Sequence, residues 1–378
     1  MLYRRFGQTN IHISVFSLGL MRLVYESRAV AHQTLKVALA AGINHLETAP
    51  SYGNSEVQLA ELLPEVCAEL GLQRPQLVIT SKLLPTGSAA AVQDRLQGSL
   101  TRLRLNYLDL LAWHGINLPE HLEWVLEVGL PAVQPFIEQG KIRFVGFSSH
   151  APLSLLLETV QTGAFAFVNL HYYYFHQRNQ PVLAAAQHQD MGVFIISPAD
   201  KGGMLYRPPL LLQQLCHPFS PLEFGYRFLL ADPRIHTLSV GLAHPQEITP
   251  ALTALESSQD WQHWGSLIEQ RLADQMHRRL GPDRCAQCYA CLPCPQGIPI
   301  PEVLRLRNGA VALDMTDYAQ YRYNMLGQAG HWFPGEKADS CQTCGDCLPR
   351  CPEQLRIPDL LADAHQRLQQ SPIRRLWE

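Results

Sequence analysis

Residues at four strand ends could together move a proton to a carbonyl oxygen. In GINHLETAPSYGNSE an apolar run ends at Leu46, Glu47 follows at a strand terminus, and Tyr52 lies in the Gly-containing turn beyond it. Asn54 can cap a helix that opens after it, its amide oxygen taking a free amide of the first turn. LVITS runs into Lys82, YLDLLAW into His114, and IRFVGF into Ser148 and Ser149. A polar residue after a strand says little alone, because strands end in turns. As a set these residues have distinct uses. A tyrosine gives a proton, a lysine lowers the phenol pKa, a carboxylate fixes the lysine, and a histidine orients the substrate oxygen.

A second chemistry lies near the C-terminus. Of the 10 cysteines, only Cys67 and Cys216 fall outside two short runs. Cys341, Cys344, Cys347 and Cys351 are spaced C-x2-C-x2-C-x3-C with Pro352 directly after, the spacing of bacterial ferredoxins and a specific signal for a 4Fe–4S cluster. Cys285, Cys288, Cys291 and Cys294 repeat it with one residue fewer before the last cysteine, again followed by a proline, Pro295. Zinc sites usually draw two ligands from each of two knuckles, which four cysteines in one run fit poorly. Three thiolates of one run can cap three corners of a cubane, with the fourth ligand coming from the other run. By ferredoxin analogy, Cys285, Cys288 and Cys291 pair with Cys351, and Cys341, Cys344 and Cys347 with Cys294. Two clusters are expected.

The elements that must position these groups alternate along the chain. ISVFSLGL, NHLETA, LVITSK, LDLLAWH, IRFVGFSS, FAFVNLHY, VFIISPA and TLSVGL are eight strand candidates, separated by amphipathic segments such as AVAHQTLKVALAAG and SAAAVQDRLQGSLTRL. Eight alternations over roughly 250 residues predict a closed (β/α)8 TIM barrel, whose chemistry sits where strands run into the following helices. An open doubly wound sheet would carry a GxGxxG turn after its first strand; GLMRLVYES stands there instead. The pattern changes after Glu256, so the barrel is expected over 1–257. A small, mainly helical ferredoxin-like iron–sulfur domain is expected over 258–378, with helices in WQHWGSLIEQRLADQMHRRLG, IPEVLRLRNGAVAL and PDLLADAHQRLQQ. His45, two residues before Glu47 on the same strand face, is expected to pack in the core. His171 could reach the pocket or sit buried and satisfied.

GINHLETAPSYGNSE, ITSK, LAWHGIN and GKIRFVGFSSH match, in order, motifs of the aldo-keto reductases. The chain resembles the branch of that family with a ferredoxin-like tail. The resemblance implies NAD(P)H-dependent reduction of an aldehyde or ketone. Tyr52 would be the general acid, with Lys82, Glu47 and His114 completing the catalytic set, and Ser148, Ser149 and Asn169 would hold the nicotinamide carboxamide. The family usually has Asp where this chain has Glu47, Asn and Gln where it has Ser149 and Asn169, and often an aromatic residue at Ile196. In SPADKGG, Lys201 with Gly202 and Gly203 could hold a pyrophosphate after the seventh strand, and Ser197 is a further cofactor-binding candidate. GLAHPQEI lacks the basic residues that usually bind the 2'-phosphate of NADP, which leaves NADP or NAD open. These departures keep a second reading in view, an electron-transfer or binding protein on a catalytically weakened barrel.

Charged residues are 17% of the chain and the net charge is −3, so no basic excess points to nucleic acid or an anionic membrane. The N-terminal MLYRRFGQTNIHIS alternates like a hairpin and lacks the apolar centre of a signal peptide. No stretch is apolar enough to span a bilayer, and a cytoplasmic location is expected. A hydride carries two electrons and a cluster accepts one. The tail is therefore expected to exchange electrons with an external one-electron carrier.

Overall fold

The structure is a computed structural model that describes residues 1–199, 204–256 and 258–370. Its described residues divide into two compact units, one of 1–198 with 226–256 and one of 199–225 with the chain beyond 256.

In the first unit, β1 (Tyr3–Arg5) and β2 (His12–Ser14) form an antiparallel hairpin. Eight parallel strands then close a barrel, as the alternation predicts. They are β3 (Phe16–Gly19), β4 (His45–Glu47), β5 (Val78–Leu83), β6 (Leu108–His114), β7 (Ile142–Ser148), β8 (Phe167–Leu170), β9 (Gly192–Ile195) and β10 (Thr237–Val240), with β10 pairing back onto β3. Their continuous apolar runs reflect burial on both faces, as strands between a core and a ring of helices require; every residue of β5 is buried. The helix Arg28–Ala40 shows the matching pattern. Its buried residues Ala31, Leu35, Ala38 and Leu39 recur at helical spacing, and the Ser27 side chain caps it by accepting from Val30 N.

The β1–β2 hairpin covers the barrel end at which strands begin. Phe6, Ile11 and Ile13 pack there with Val78 and Phe167, the first residues of β5 and β8. A polar layer crosses the interior above them. His45 Nδ1 meets Ser17 Oγ at 2.6 Å, His45 Nε2 meets Thr80 Oγ1 at 2.7 Å, and Ser17 Oγ meets Thr237 Oγ1 at 2.6 Å. Burial first, and the Lys82 charge second, push the His45 pKa down to about 3, so its ring is neutral. His45 is a core residue, as expected from its strand face. With one end covered, the strand C-termini are the ends left to build a site.

In the second unit, the helix Ser258–Leu280 packs against the helices Leu210–Cys216 and Ile300–Leu313, and the latter packs against Thr316–Tyr323 and Ile357–Leu368. Gln275 Nε2 donates to Ala312 O and Arg271 Nη1 to His217 O. Among the described residues no helix is long and apolar enough to cross a membrane.

Candidate active site and cysteine-lined cavities

Strand register sets the first site. Glu47 and His114 are the last residues of β4 and β6, and Lys82 is the next to last of β5. Pairing places Glu47 beside Thr80 and Lys82 beside Ala112, so the three side chains project at the same rim. Lys82 is 2% exposed and Glu47 4%, and their ammonium and carboxylate are in direct contact. Lys82 Nζ donates to the Tyr52 hydroxyl oxygen at 2.7 Å and lies 3.5 Å from Thr48 O, so all three of its donors point at acceptors. The Tyr52 hydroxyl is 3.3 Å from Glu47 Oε1, and Ser239 Oγ on β10 is 3.4 Å from Glu47 Oε2.

Glu47 thus reaches Lys82 and Tyr52 with one oxygen and β10 with the other. The longer side chain fits because Gly19, its neighbour on β3, has no Cβ. A Cβ there would stand 2.7 Å from Ser239 Oγ and 3.3 Å from Glu47 Oε2. Gly19 and Ser239 escaped the sequence reading. A glycine ending an apolar run reads as a turn residue, and only the register shows the close approach.

His114 stands edge-on to the Tyr52 ring, centroids 5.8 Å apart, with its Nδ1 3.2 Å from Ser51 Oγ. Burial, and secondarily the Lys82 charge, push its pKa down to about 3, so the ring is neutral near neutrality. In the tautomer with Ser51 donating to Nδ1, Nε2 carries the proton and can donate to a substrate oxygen. Tyr52 corrects one expectation. Lysine was expected to lower its pKa, but burial dominates and raises it. Burial also pulls the Lys82 pKa down. The phenol is therefore protonated, and its proton leaves only to a base stronger than phenolate.

Asn54 corrects another. The helix Ser55–Leu70 opens after it, yet its side chain makes no cap; Ser55 Oγ instead meets Thr48 Oγ1 at 2.7 Å.

The expected cofactor residues divide. Asn169, on β8, is fully buried, and neither its amide nitrogen nor its amide oxygen has a partner. A buried amide with both ends unsatisfied costs stability, and a primary carboxamide is the complement that would satisfy both. Ser148 and Ser149 are already engaged. Ser148 Oγ accepts from Gly115 N and lies 3.4 Å from Trp113 O, while Ser149 Oγ donates to Ile116 O and accepts from Ala151 N. Both serines tie the loop after β6 to the end of β7. Ser197 is exposed with a left-handed φ of 53°. Lys201, Gly202 and Gly203 lie outside the described residues. His171 is buried, its Nδ1 against the Tyr173 hydroxyl, which donates to Ile196 O at 2.6 Å, and its Nε2 3.4 Å from His150 Nε2.

The second site is built by repetition. Cys294, Cys341, Cys344 and Cys347 line one cavity, and Cys285, Cys288, Cys291 and Cys351 line another. Three thiols of one run and the last thiol of the other thus face each cavity. Among the described residues, no group of three or more His, Cys, Asp and Glu side chains could hold a single metal ion. The donor set suits a group of cluster size with four thiolate corners.

The loops match in detail. Gln287 and Tyr289 have left-handed φ of 57° and 61°, and Thr343 and Gly345, at the same steps of the other run, have 52° and 81°. Leu292 N donates to Tyr289 O and Leu348 N to Gly345 O. Beyond the last cysteines, Gly297 and Gln354 are again left-handed, and helices then open at Ile300-Pro301 and Ile357-Pro358. Proline suits a first helical turn because its missing donor would have no partner there. The doubled cysteine motif is thus part of a longer repeat, C-L-P to I-P.

A closed parallel barrel with a buried lysine–carboxylate pair and a half-buried tyrosine at its C-terminal rim defines an oxidoreductase class. The profile of the aldo/keto reductase family matches residues 16–208, and that of the 4Fe-4S dicluster domain matches 284–355. The chain belongs to the aldo/keto reductase family and carries a C-terminal region of the dicluster type. It is 26% identical over 294 residues to L-galactose dehydrogenase of Arabidopsis thaliana, covering 67% of this chain and 89% of that one. It is 25% identical over 289 residues to an uncharacterized oxidoreductase, YqkF, of Bacillus subtilis, covering 66% and 90%. Among solved structures, aldo-keto reductase AKR11C1 from Bacillus halodurans superposes with a TM-score of 0.61 at 21% identity, covering 72% of this chain and 96% of that one.

Proposed function

We propose that the barrel reduces the carbonyl group of a small aldehyde or ketone, using NADP or NAD, and that the C-terminal region binds two 4Fe–4S clusters that exchange electrons with a one-electron carrier. The observation that carries the first part is the contact of Lys82, Glu47 and the Tyr52 hydroxyl at one buried point of the rim. The eight thiols, four to each cavity, support the second.

A bound nicotinamide supplies hydride to the carbonyl carbon, and bound clusters supply one-electron chemistry. Asn169 would read the carboxamide of the nicotinamide. His114 would donate a hydrogen bond to the carbonyl oxygen and fix it beside Tyr52. Burial keeps the Tyr52 proton in place until negative charge develops on that oxygen. An alkoxide is a far stronger base than a phenolate, so transfer is downhill despite the raised phenol pKa. Lys82, already 2.7 Å from the hydroxyl oxygen, then stabilises the phenolate left behind.

Tyr52→Phe tests the assignment. General acids contribute roughly 100- to 10,000-fold, so the variant should lose that much of kcat for carbonyl reduction while binding NADPH or NADH as before. Unchanged turnover would remove Tyr52 from the chemistry. A wild-type protein that binds neither dinucleotide and reduces no aldehyde in a broad screen would favour the binding-protein reading.

A further inference from the structure

The two cysteine-lined cavities are near copies, which makes their differences informative. Each is lined by one exposed, one buried and two half-buried cysteines, so exposure of the ligands does not separate them. Aligning C-L-P-C, 291 to 294, with C-L-P-R-C, 347 to 351, shows that the second run has one inserted residue, Arg350. That residue lines the Cys294/Cys341/Cys344/Cys347 cavity. Its guanidinium is fixed there, Nε donating to Asp346 O at 2.8 Å and Nη2 to Pro293 O at 3.0 Å, one carbonyl from each run.

Two residues past the last cysteine of each run, the copies differ again. Gln296 lines the cavity that holds Arg350, and Glu353 lines the Cys285/Cys288/Cys291/Cys351 cavity. One cavity therefore has a cation and a neutral amide where its copy has a carboxylate and no inserted arginine.

Reducing a cluster adds one negative charge, which a lining cation favours and a lining carboxylate opposes. We propose that the two clusters are held at unequal potentials, the Cys294/Cys341/Cys344/Cys347 site being the higher because of Arg350 and the Cys285/Cys288/Cys291/Cys351 site the lower because of Glu353. The first electron given to the oxidised protein by a one-electron reductant then rests at the Arg350 site, and the second enters the Glu353 site. One observed bond acts the other way. Gln287 N lies 3.4 Å from Cys285 Sγ, and an N–H bond to sulfur favours reduction. An amide dipole is weaker than the two full charges it opposes. Arg284 and Asp346 are charged neighbours of the runs, exposed like Glu353, but unlike Glu353 and Arg350 they line neither cavity.

The proposal rests on the two-cluster reading. Its test is a redox titration of the full chain, prepared without oxygen, reduced with dithionite through mediators and followed by electron paramagnetic resonance. Iron and acid-labile sulfide are counted first. Wild type should give two waves separated by at least tenfold in the one-electron equilibrium, about 59 mV. Glu353→Gln installs the residue its own copy carries and should raise the lower wave alone. Arg350→Gln should lower the upper wave alone. Because Arg350 also ties two loops, Arg350→Lys is the control, keeping the charge without the fork and leaving the upper wave in place. Two clusters titrating in a single wave, or a Glu353→Gln protein with both waves unmoved, would overturn the proposal and leave the cluster reading intact. An upper wave that falls as far in Arg350→Lys as in Arg350→Gln would overturn the role of the charge. Less iron and sulfide than two cubanes need would overturn the cluster reading itself, and this proposal with it.

Discussion

Replacing Glu47 by Gln keeps the shape of the side chain and removes the charge that faces Lys82. Lys82 and Glu47 are both nearly inaccessible, and the adjacent rings of His45 and His114 are neutral. The ammonium would then be left buried without its counter-charge, a change that costs roughly 3–5 kcal/mol. The cost has a ceiling, because Lys82 can enter the fold neutral. Deprotonating an ordinary lysine at about pH 7 takes about 5 kcal/mol, and at about pH 9 about 2 kcal/mol. Burial holds the folded-state pKa of Lys82 below its unfolded value already in wild type, and in Glu47→Gln no carboxylate opposes it. Between those two values the unfolded chain binds the extra proton, so stability of the variant climbs with pH. In wild type the carboxylate offsets burial and the climb is smaller. The stability gap between the two proteins should therefore close by up to about 1.4 kcal/mol per pH unit above neutrality. Urea unfolding of both full chains at several pH values, followed by circular dichroism, measures it. A gap below ~1 kcal/mol, or one that does not change with pH, would show that the two groups are not a buried charged pair.

Asn169→Leu should separate binding from stability. The buried amide has no partner in the free protein, so replacing it by an apolar group of similar volume should leave the apo barrel as stable or more so. The same change should weaken dinucleotide binding by about 1–3 kcal/mol, the worth of two hydrogen bonds, as read by fluorescence titration. Removing iron with a chelator under nitrogen should lower the thermal stability of the region around the two cavities, because structural metal binding is folding free energy. Dinucleotide binding by the barrel should persist; its loss on chelation would mean that the cysteine region builds part of that site.

The barrel and its rim were legible because most strands are buried on both faces and so read as short, largely apolar runs with a polar residue at the end. Glu47, Lys82 and His114 could be placed from chain order alone. What adjoins them could not. Ser239 reaches Glu47 from 192 positions away, and Gly19 is small because of that approach. Neither leaves a local pattern. The amide of Asn54 had the right type for a helix cap and found none, since Ser55 and Thr48 tie that turn together. The phenol pKa was read with the wrong sign for a related reason. A nearby ammonium is visible in a sequence, whereas the depth of burial that outweighs it depends on the whole barrel.

The cysteine region shows a different limit. The spacing marked the eight cysteines, and the analogy with ferredoxins led to the grouping seen around the cavities, three thiols with the fourth from the other run. The wider repeat was also written in the chain, as C-L-P followed later by I-P and an acidic residue. It is hard to see because the inserted Arg350 shifts the second half of the copy by one position. Left-handed residues at matching steps show that the backbone repeats even where side chains do not, with Tyr289 opposite Gly345 and Gln287 opposite Thr343. A non-glycine residue in that conformation carries a cost, and it recurs at matching steps of two loops that each line a four-thiol cavity. The side chains are thereby freed to differ. The charge difference falls at Arg350 and at Glu353 against Gln296, positions that line the cavities without supplying a sulfur. A duplicated scaffold of this kind can fix the same cluster twice while setting its electron affinity separately at each site.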